Sequence, residues 1–101
     1  MRGADSRQIW HKDGLVVRVR LTDDGDLEFA GHDLSNHPFA DAYEYWITVP
    51  AKDIPTVVAA LHGNPGDDML ELVSRHAASI VRHGEMTWLK SLGIEPRFFS
   101  P

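Results

Sequence analysis

Histidine and aspartate side chains that could bind a metal ion cluster in the segment GHDLSNHPFADA, at residues 31–42. They are His32, Asp33, His37 and Asp41. Catalytic zinc is bound by three such groups and keeps a fourth position open for water or substrate. Their spacing matches no compact zinc motif, and the Asn and Pro among them are typical of a polar loop. We therefore expect no metal and no other cofactor. A small metal-binding protein or metal-dependent enzyme using this loop remains the alternative.

The sequence gives less support to other kinds of catalytic site. The chain has no cysteine, which excludes disulfides, thiol catalysis and cysteine-bound zinc. No serine stands in a nucleophile motif such as G-x-S-x-G. The aspartates at 23–26 and 67–68 lie in predicted turns and helix caps, where aspartate has a structural use. Whether the protein is an enzyme stays open, and the sequence favours one without catalytic activity.

The elements that must position these residues follow from the hydrophobic period, which changes at Pro50. Apolar residues alternate before it, as in LVVRVRL at 15–21, and recur at helical spacing after it. These periods predict half-buried strands and amphipathic helices. At 101 residues the chain fits one domain, with residues 1–6 frayed. We predict an α+β fold with a three- or four-stranded antiparallel sheet in the N-terminal half. Two or three C-terminal helices are predicted to pack on one face of this sheet. The motif RFF predicts a short final strand or a docked tail.

Glycine and aspartate mark the predicted boundaries. The strands are predicted at 8–11, 15–22, 27–32 and 43–50, and the helices at 53–63, 68–82 and 85–92. Asp-Gly pairs at 13–14 and 24–25 predict the hairpin turns, because glycine readily adopts the positive φ that such turns need. Asp53 and Asp68 are the predicted N-caps of the first two helices, and Gly63 is the predicted end of the first. His76 is expected as a hydrogen-bonded histidine on the apolar face of the second helix.

The alternation of the strands also assigns their side chains to two faces. The set predicted to face the helices is Leu15, Val17, Val19, Leu21, Leu27, Phe29, Tyr43, Tyr45, Ile47 and Val49. The set predicted on the opposite face is Val16, Arg18, Arg20, Glu28, Ala30, His32, Glu44, Trp46 and Thr48. A large aromatic beside arginines has the composition of a binding hot spot.

We predict that this opposite face binds a partner. Trp46 is the predicted apolar anchor, with Arg18 and Arg20 as polar contacts. Glu28 and Glu44 are predicted to supply charge complementarity. The alternative is that Trp46 is covered, either by the C-terminal segment or by the first strand with Trp10.

Charge and hydropathy narrow the choice of partner. The net charge is -5, and residues 21–71 hold eleven acidic side chains and one basic one. Nucleic-acid-binding proteins usually concentrate Lys and Arg, so nucleic acid is not expected and a basic protein surface is favoured.

The chain has no apolar run of ~18 residues, and its first residues lack the apolar core of a signal peptide. We therefore expect a cytoplasmic protein without a membrane segment.

Three stretches together resemble a known group of proteins. They are DLEFAGHDLSNH at 26–37, YEYWITVPAKDIPTVVAAL at 43–61 and TWLKSLGIEPRFFS at 87–100. The group consists of small, uncharacterised actinobacterial α+β proteins, some of which look like immunity proteins or antitoxin-like inhibitors. The resemblance implies a non-catalytic protein-binding domain and transfers no active-site residue. A homodimer formed across the same face, of unknown role, remains an alternative.

Overall fold

The computed structural model describes residues 6–33 and 43–100, which form one antiparallel sheet with helices on one of its faces. The strands are β1 (Ser6–Lys12), β2 (Leu15–Leu21), β3 (Leu27–Asp33), β4 (Tyr43–Val49) and β5 (Arg97–Phe99), and they lie in that order across the sheet. The α+β prediction is confirmed. The RFF motif forms β5, which pairs with β4 and brings the sheet to five strands.

Short helices connect β4 to β5. A single 3₁₀ turn (Ala51–Asp53) leads into α1 (Ile54–Ala60), followed by α2 (Met69–Arg75), α3 (Ala77–His83) and α4 (Glu85–Ser91). Helix α2 packs against β1 and β2, and α3 packs against β1. None of the helices in the described ranges is long and apolar enough to cross a membrane.

The core lies between the sheet and the helices, as the alternation predicts. Its strand residues are Val17, Val19, Leu27, Phe29, Tyr45, Ile47 and Val49, and its helical residues include Val57, Leu61, Met69, Leu72, Val73, Ile80 and Leu89. Two members of the predicted core set, Leu21 and Tyr43, are instead exposed. Leu21 is the last residue of β2 and Tyr43 the first of β4, so both lie at the margin of the helical layer.

The hairpin turns follow the Asp-Gly pairs. Asp13 and Gly14 both have positive φ, 56° and 84°, which is the geometry of a two-residue type I′ turn. In the second turn, the backbone N–H of Thr22 donates to the Asp26 carbonyl at 2.8 Å. Both turn predictions are confirmed.

The predicted helix at 68–82 is wrong in one respect, because it is broken at His76. There the backbone has φ -110° and ψ 15°, so α2 ends and α3 begins. His76 is half-buried at this break and is not a core histidine. We attribute the break to packing: two short helices can each bury their own apolar residues on a twisted sheet, where one straight helix cannot.

The two predicted N-caps have opposite outcomes. The Asp68 side chain accepts hydrogen bonds from the backbone N–H groups of Leu70 and Glu71, at 3.0 and 3.2 Å, which confirms that cap. The Asp53 side chain makes no capping hydrogen bond. Because a 3₁₀ turn precedes α1, Asp53 already has helical backbone angles and not the extended geometry of a cap.

The first helix ends through His62 and not through Gly63. His62 has the left-handed φ of 60°, and the N–H of Gly63 donates to the Val58 carbonyl at 2.9 Å. This is the hydrogen bond of a Schellman motif with histidine at the position where glycine is usual. Gly63 instead lies close to α2, since a Cβ there would lie 2.5 Å from Leu72 Cδ2 and the leucine side chain would have to shift.

Candidate functional site

The face of the sheet that points away from the helices carries the residues predicted for binding. It is called the open face here and consists of Val16, Arg18, Arg20, Glu28, Ala30, His32, Glu44, Trp46 and Thr48, extended by Arg97 and Phe99 of β5. Every one of the predicted members is exposed or half-buried. The period of two therefore assigned this face correctly.

The strand register sets Trp46 in one row of the open face, next to the edge strand β5. Arg18, Ala30, Trp46 and Phe99 are cross-strand neighbours on β2, β3, β4 and β5. Trp46 is half-buried, and its ring centroid lies 5.8 Å from that of Phe99, with the planes tilted by 43°. Phe99 itself is 62% exposed. The two rings form one aromatic platform at the edge of the sheet.

A shallow groove of about 260 Å³ adjoins this platform. Its lining includes Trp46, Ala30 and Arg18. Because Ala30 is small, it leaves space between the tryptophan ring and the arginine. An apolar ring and a guanidinium therefore line the same groove.

The charged side chains of the open face differ in how they are held. Arg20 Nε donates to Glu28 Oε1 at 2.6 Å, and this bond raises the pKa of Arg20 above its ordinary value. Arg18 instead donates to the hydroxyl of Ser6, at 3.0 and 3.3 Å. In the described part of the chain, neither Arg18 nor Glu44 forms an ion pair. These two charges therefore flank the platform without an opposite charge from any residue in the ranges 6–33 and 43–100.

The alternative in which the first strand covers Trp46 is wrong. A bulge in β1 between Gln8 and Trp10 places Trp10 opposite Val17, a core residue. Trp10 is half-buried and packs against the core. The C-terminal segment does contact Trp46, through Phe99, but the tryptophan keeps part of its surface exposed.

A second concave site lies on the other side of β5 and is called the tyrosine cleft here. It is shallow and open to solvent, with a volume of about 230 Å³, and its lining includes Tyr43, Tyr45, Glu85, Met86 and Phe98. The ring centroids of Tyr43 and Tyr45 are 5.7 Å apart, and those of Tyr45 and Phe98 are 6.4 Å apart. Tyr43 and Phe98 are 42% and 49% exposed, so the cleft has aromatic walls open to solvent.

The floor of the tyrosine cleft is a buried carboxylate. Glu85, the first residue of α4, is 7% exposed, and its Oε2 accepts a hydrogen bond of 2.7 Å from the Tyr45 hydroxyl. Burial and this hydrogen bond raise the pKa of Tyr45 well above its usual range. Tyr45 can lie so close to the sheet because its cross-strand neighbour is Gly31, and any Cβ there would overlap the tyrosine ring.

Sequence reasoning missed Phe99 and the pair formed by Tyr45 and Glu85. The alternation of β5 would have placed Phe98 and Phe99 on opposite faces, but the faces cannot be assigned until the pairing with β4 is known. No local signal points to the contact between Tyr45 and Glu85, which are 40 residues apart.

The structure describes two of the four residues in the metal hypothesis, His32 and Asp33. His32 and Asp33 are consecutive residues of β3, so their side chains point to opposite faces of the sheet and cannot easily share one ion. His37 and Asp41 lie outside the described residues. Within the ranges 6–33 and 43–100, no three histidine, aspartate or glutamate side chains converge to hold a metal.

No protein-family model, curated protein or solved structure matches this chain. The roles of the open face and of the tyrosine cleft are therefore inferred from their own residues.

Proposed function

We propose that this chain is a non-catalytic protein-binding domain that engages its partner through the open face, as an immunity or inhibitor protein would. The observation that supports this most is the platform of Trp46 and Phe99 on the face that the helices leave uncovered. Tryptophan and other aromatic residues dominate binding hot spots, because they bury a large area with few rotatable bonds.

The aromatic platform offers surface that a partner would remove from water. Phe99 is 62% exposed, and complete burial of a phenylalanine side chain contributes ~1.5–3 kcal/mol. Trp46 already contacts Phe99 in the free protein. It would therefore lose little conformational freedom on binding, which favours affinity.

The two flanking charges give the proposed interface its polar contacts. Arg18 is held by the neutral hydroxyl of Ser6, which a carboxylate of the partner could replace. Glu44 would accept a basic group. Arg20 and Glu28 are bound to each other and would present a fixed ion pair. Such charges set orientation and association rate more than affinity, and the net charge of -5 favours a basic partner.

A homodimer is the second candidate, and the opposite signs of Arg18 and Glu44 favour it. In a two-fold dimer the same patch meets itself, so Arg18 of one copy could face Glu44 of a second copy across the stacked platforms. The same residues would then form an interface without a foreign partner.

The test compares variants of the open face with a variant elsewhere. Tagged wild type, Trp46→Ala and Arg18→Glu are used to capture a partner from the native host's lysate, and the purified partner is then titrated. Arg75→Glu, an exposed charge reversal on α2, is the matched control. We expect Trp46→Ala and Arg18→Glu to weaken binding by ~10-fold or more while Arg75→Glu binds like wild type.

Equal affinity of the wild type and Trp46→Ala would contradict the proposal. Analytical ultracentrifugation distinguishes the homodimer from binding of a foreign partner. If the open face forms a homodimer, the wild type should sediment as a dimer and Trp46→Ala as a monomer.

A further inference from the structure

We propose that the tyrosine cleft binds an organic ammonium group, such as the head of a lysine side chain. The cleft lies on the helical side of β5, away from the open face, so this inference does not depend on the proposed function.

The first argument is the burial of the Glu85 side chain. Its side chain is buried, and a buried carboxylate is unfavourable unless hydrogen bonds and an opposite charge compensate it. Among the described residues it receives one side-chain hydrogen bond, from Tyr45, and forms no ion pair. A cation entering the cleft would supply the missing charge.

The second argument is the aromatic walls. Tyr43, Tyr45 and Phe98 follow one another with centroid separations of 5.7 and 6.4 Å. A cation within ~6 Å of an aromatic centroid is attracted by the negative face of the ring. Aromatic walls around a carboxylate are the chemistry that recognises alkylammonium groups, whereas an anion would be repelled by Glu85.

The third argument is size. The cleft holds about 230 Å³, less than the ~300–1,000 Å³ of pockets that take drug-sized ligands. This space is large enough for one alkylammonium head. The opposing explanation is purely structural: Glu85 begins α4, where the helix dipole favours an acid, and its bond to Tyr45 fixes that helix to the sheet.

The experiment separates charge recognition from apolar binding. Isotope-labelled protein is titrated by NMR with butylammonium, with choline and with 3,3-dimethylbutanol, the uncharged analogue of choline. We expect millimolar binding of both cations, with shifts confined to the residues that line the cleft. The uncharged analogue should bind ~10-fold more weakly, since it gains neither the cation–π attraction nor the carboxylate.

Variants on β5 provide a matched pair. Phe98→Leu removes a wall of the cleft, and Phe99→Leu makes the same change on the open face of the same strand. We expect Phe98→Leu to weaken choline binding ~3–10-fold and Phe99→Leu to leave it unchanged. Glu85→Gln should weaken it by ~10-fold or more. Because Phe98 is half-exposed, the pair remains informative even if Glu85→Gln fails to fold.

Two sources of the ammonium group are distinguished by a further titration. Butylammonium is compared with a short lysine-containing peptide of otherwise neutral residues. Tighter binding of the peptide indicates a basic side chain of a protein, and equal binding indicates a free amine. Equal affinity for choline and its uncharged analogue would overturn the proposal. So would equal affinity of the two leucine variants, or no saturable binding of either cation.

Discussion

Replacing Tyr45 by phenylalanine removes one oxygen and leaves the buried Glu85 carboxylate without its side-chain donor. The hydrogen bond of 2.7 Å is charge-assisted and lies in the interior. Loss of such a bond, with its acceptor still buried, costs about 2 kcal/mol. For a domain of this size, that corresponds to a fall in melting temperature of roughly 8–16 °C at neutral pH.

The same substitution has a second signature at alkaline pH. Tyrosine ionises near pH 10 in the unfolded chain. The folded protein holds the pKa of Tyr45 above that value, so between the two pKa values the folded state binds the extra proton. Ionisation of Tyr45 therefore does not change the wild-type stability below about pH 10, and above that pH it lowers the stability by about 1.4 kcal/mol per pH unit. Tyr45→Phe lacks this loss, so the two stability curves should converge at about pH 11.5.

The assay is urea unfolding of both proteins from pH 7 to 11.5, with Tyr43→Phe as the control. Tyr43 is 42% exposed, so its substitution should leave the stability at neutral pH close to that of the wild type. The reasoning is refuted if Tyr45→Phe unfolds at the wild-type midpoint at pH 7. It is also refuted if the difference between the curves does not shrink above pH 10.

Four further substitutions test the packing and the helix ends by urea unfolding. Gly31→Ala should destabilise by about 1–3 kcal/mol, because the added Cβ overlaps the Tyr45 ring; an unchanged midpoint would contradict that close approach. His62→Gly should stabilise by about 0.5–1 kcal/mol, since glycine adopts φ of 60° without steric cost, and a loss of stability would argue against the left-handed cap. Asp68→Ala should cost about 1 kcal/mol and Asp53→Ala almost nothing, and equal effects would mean that the two aspartates are not distinguished by capping.

The sequence predicts those features that depend on neighbours along the chain. The face of each strand residue follows from the alternation of apolar and polar residues along that strand. This alternation placed Arg18 and Trp46 on one face without knowledge of the strand pairing. The type I′ turn at Asp13 likewise follows from two adjacent residues.

Features that depend on packing between distant segments were not predictable. The break at His76 reflects how two helices fit the sheet, and the helical period continues across it. The burial of Glu85 has the same origin: at the start of a helix an acidic residue is ordinary, and only the position of Tyr45 makes it unusual.

The shortness of β5 links the two candidate sites. Its three residues give Phe98 to the tyrosine cleft and Phe99 to the aromatic platform. The strand is fastened by the ion pair of Arg97 with Asp26 and by the bond from the Ser100 hydroxyl to the Glu44 carbonyl. Any ligand that orders β5 from one side lowers the entropy loss of binding on the other side. Such coupling is reciprocal by thermodynamic necessity, so an occupied cleft would raise the affinity of the platform for a protein, and a protein on the platform would raise the affinity of the cleft equally.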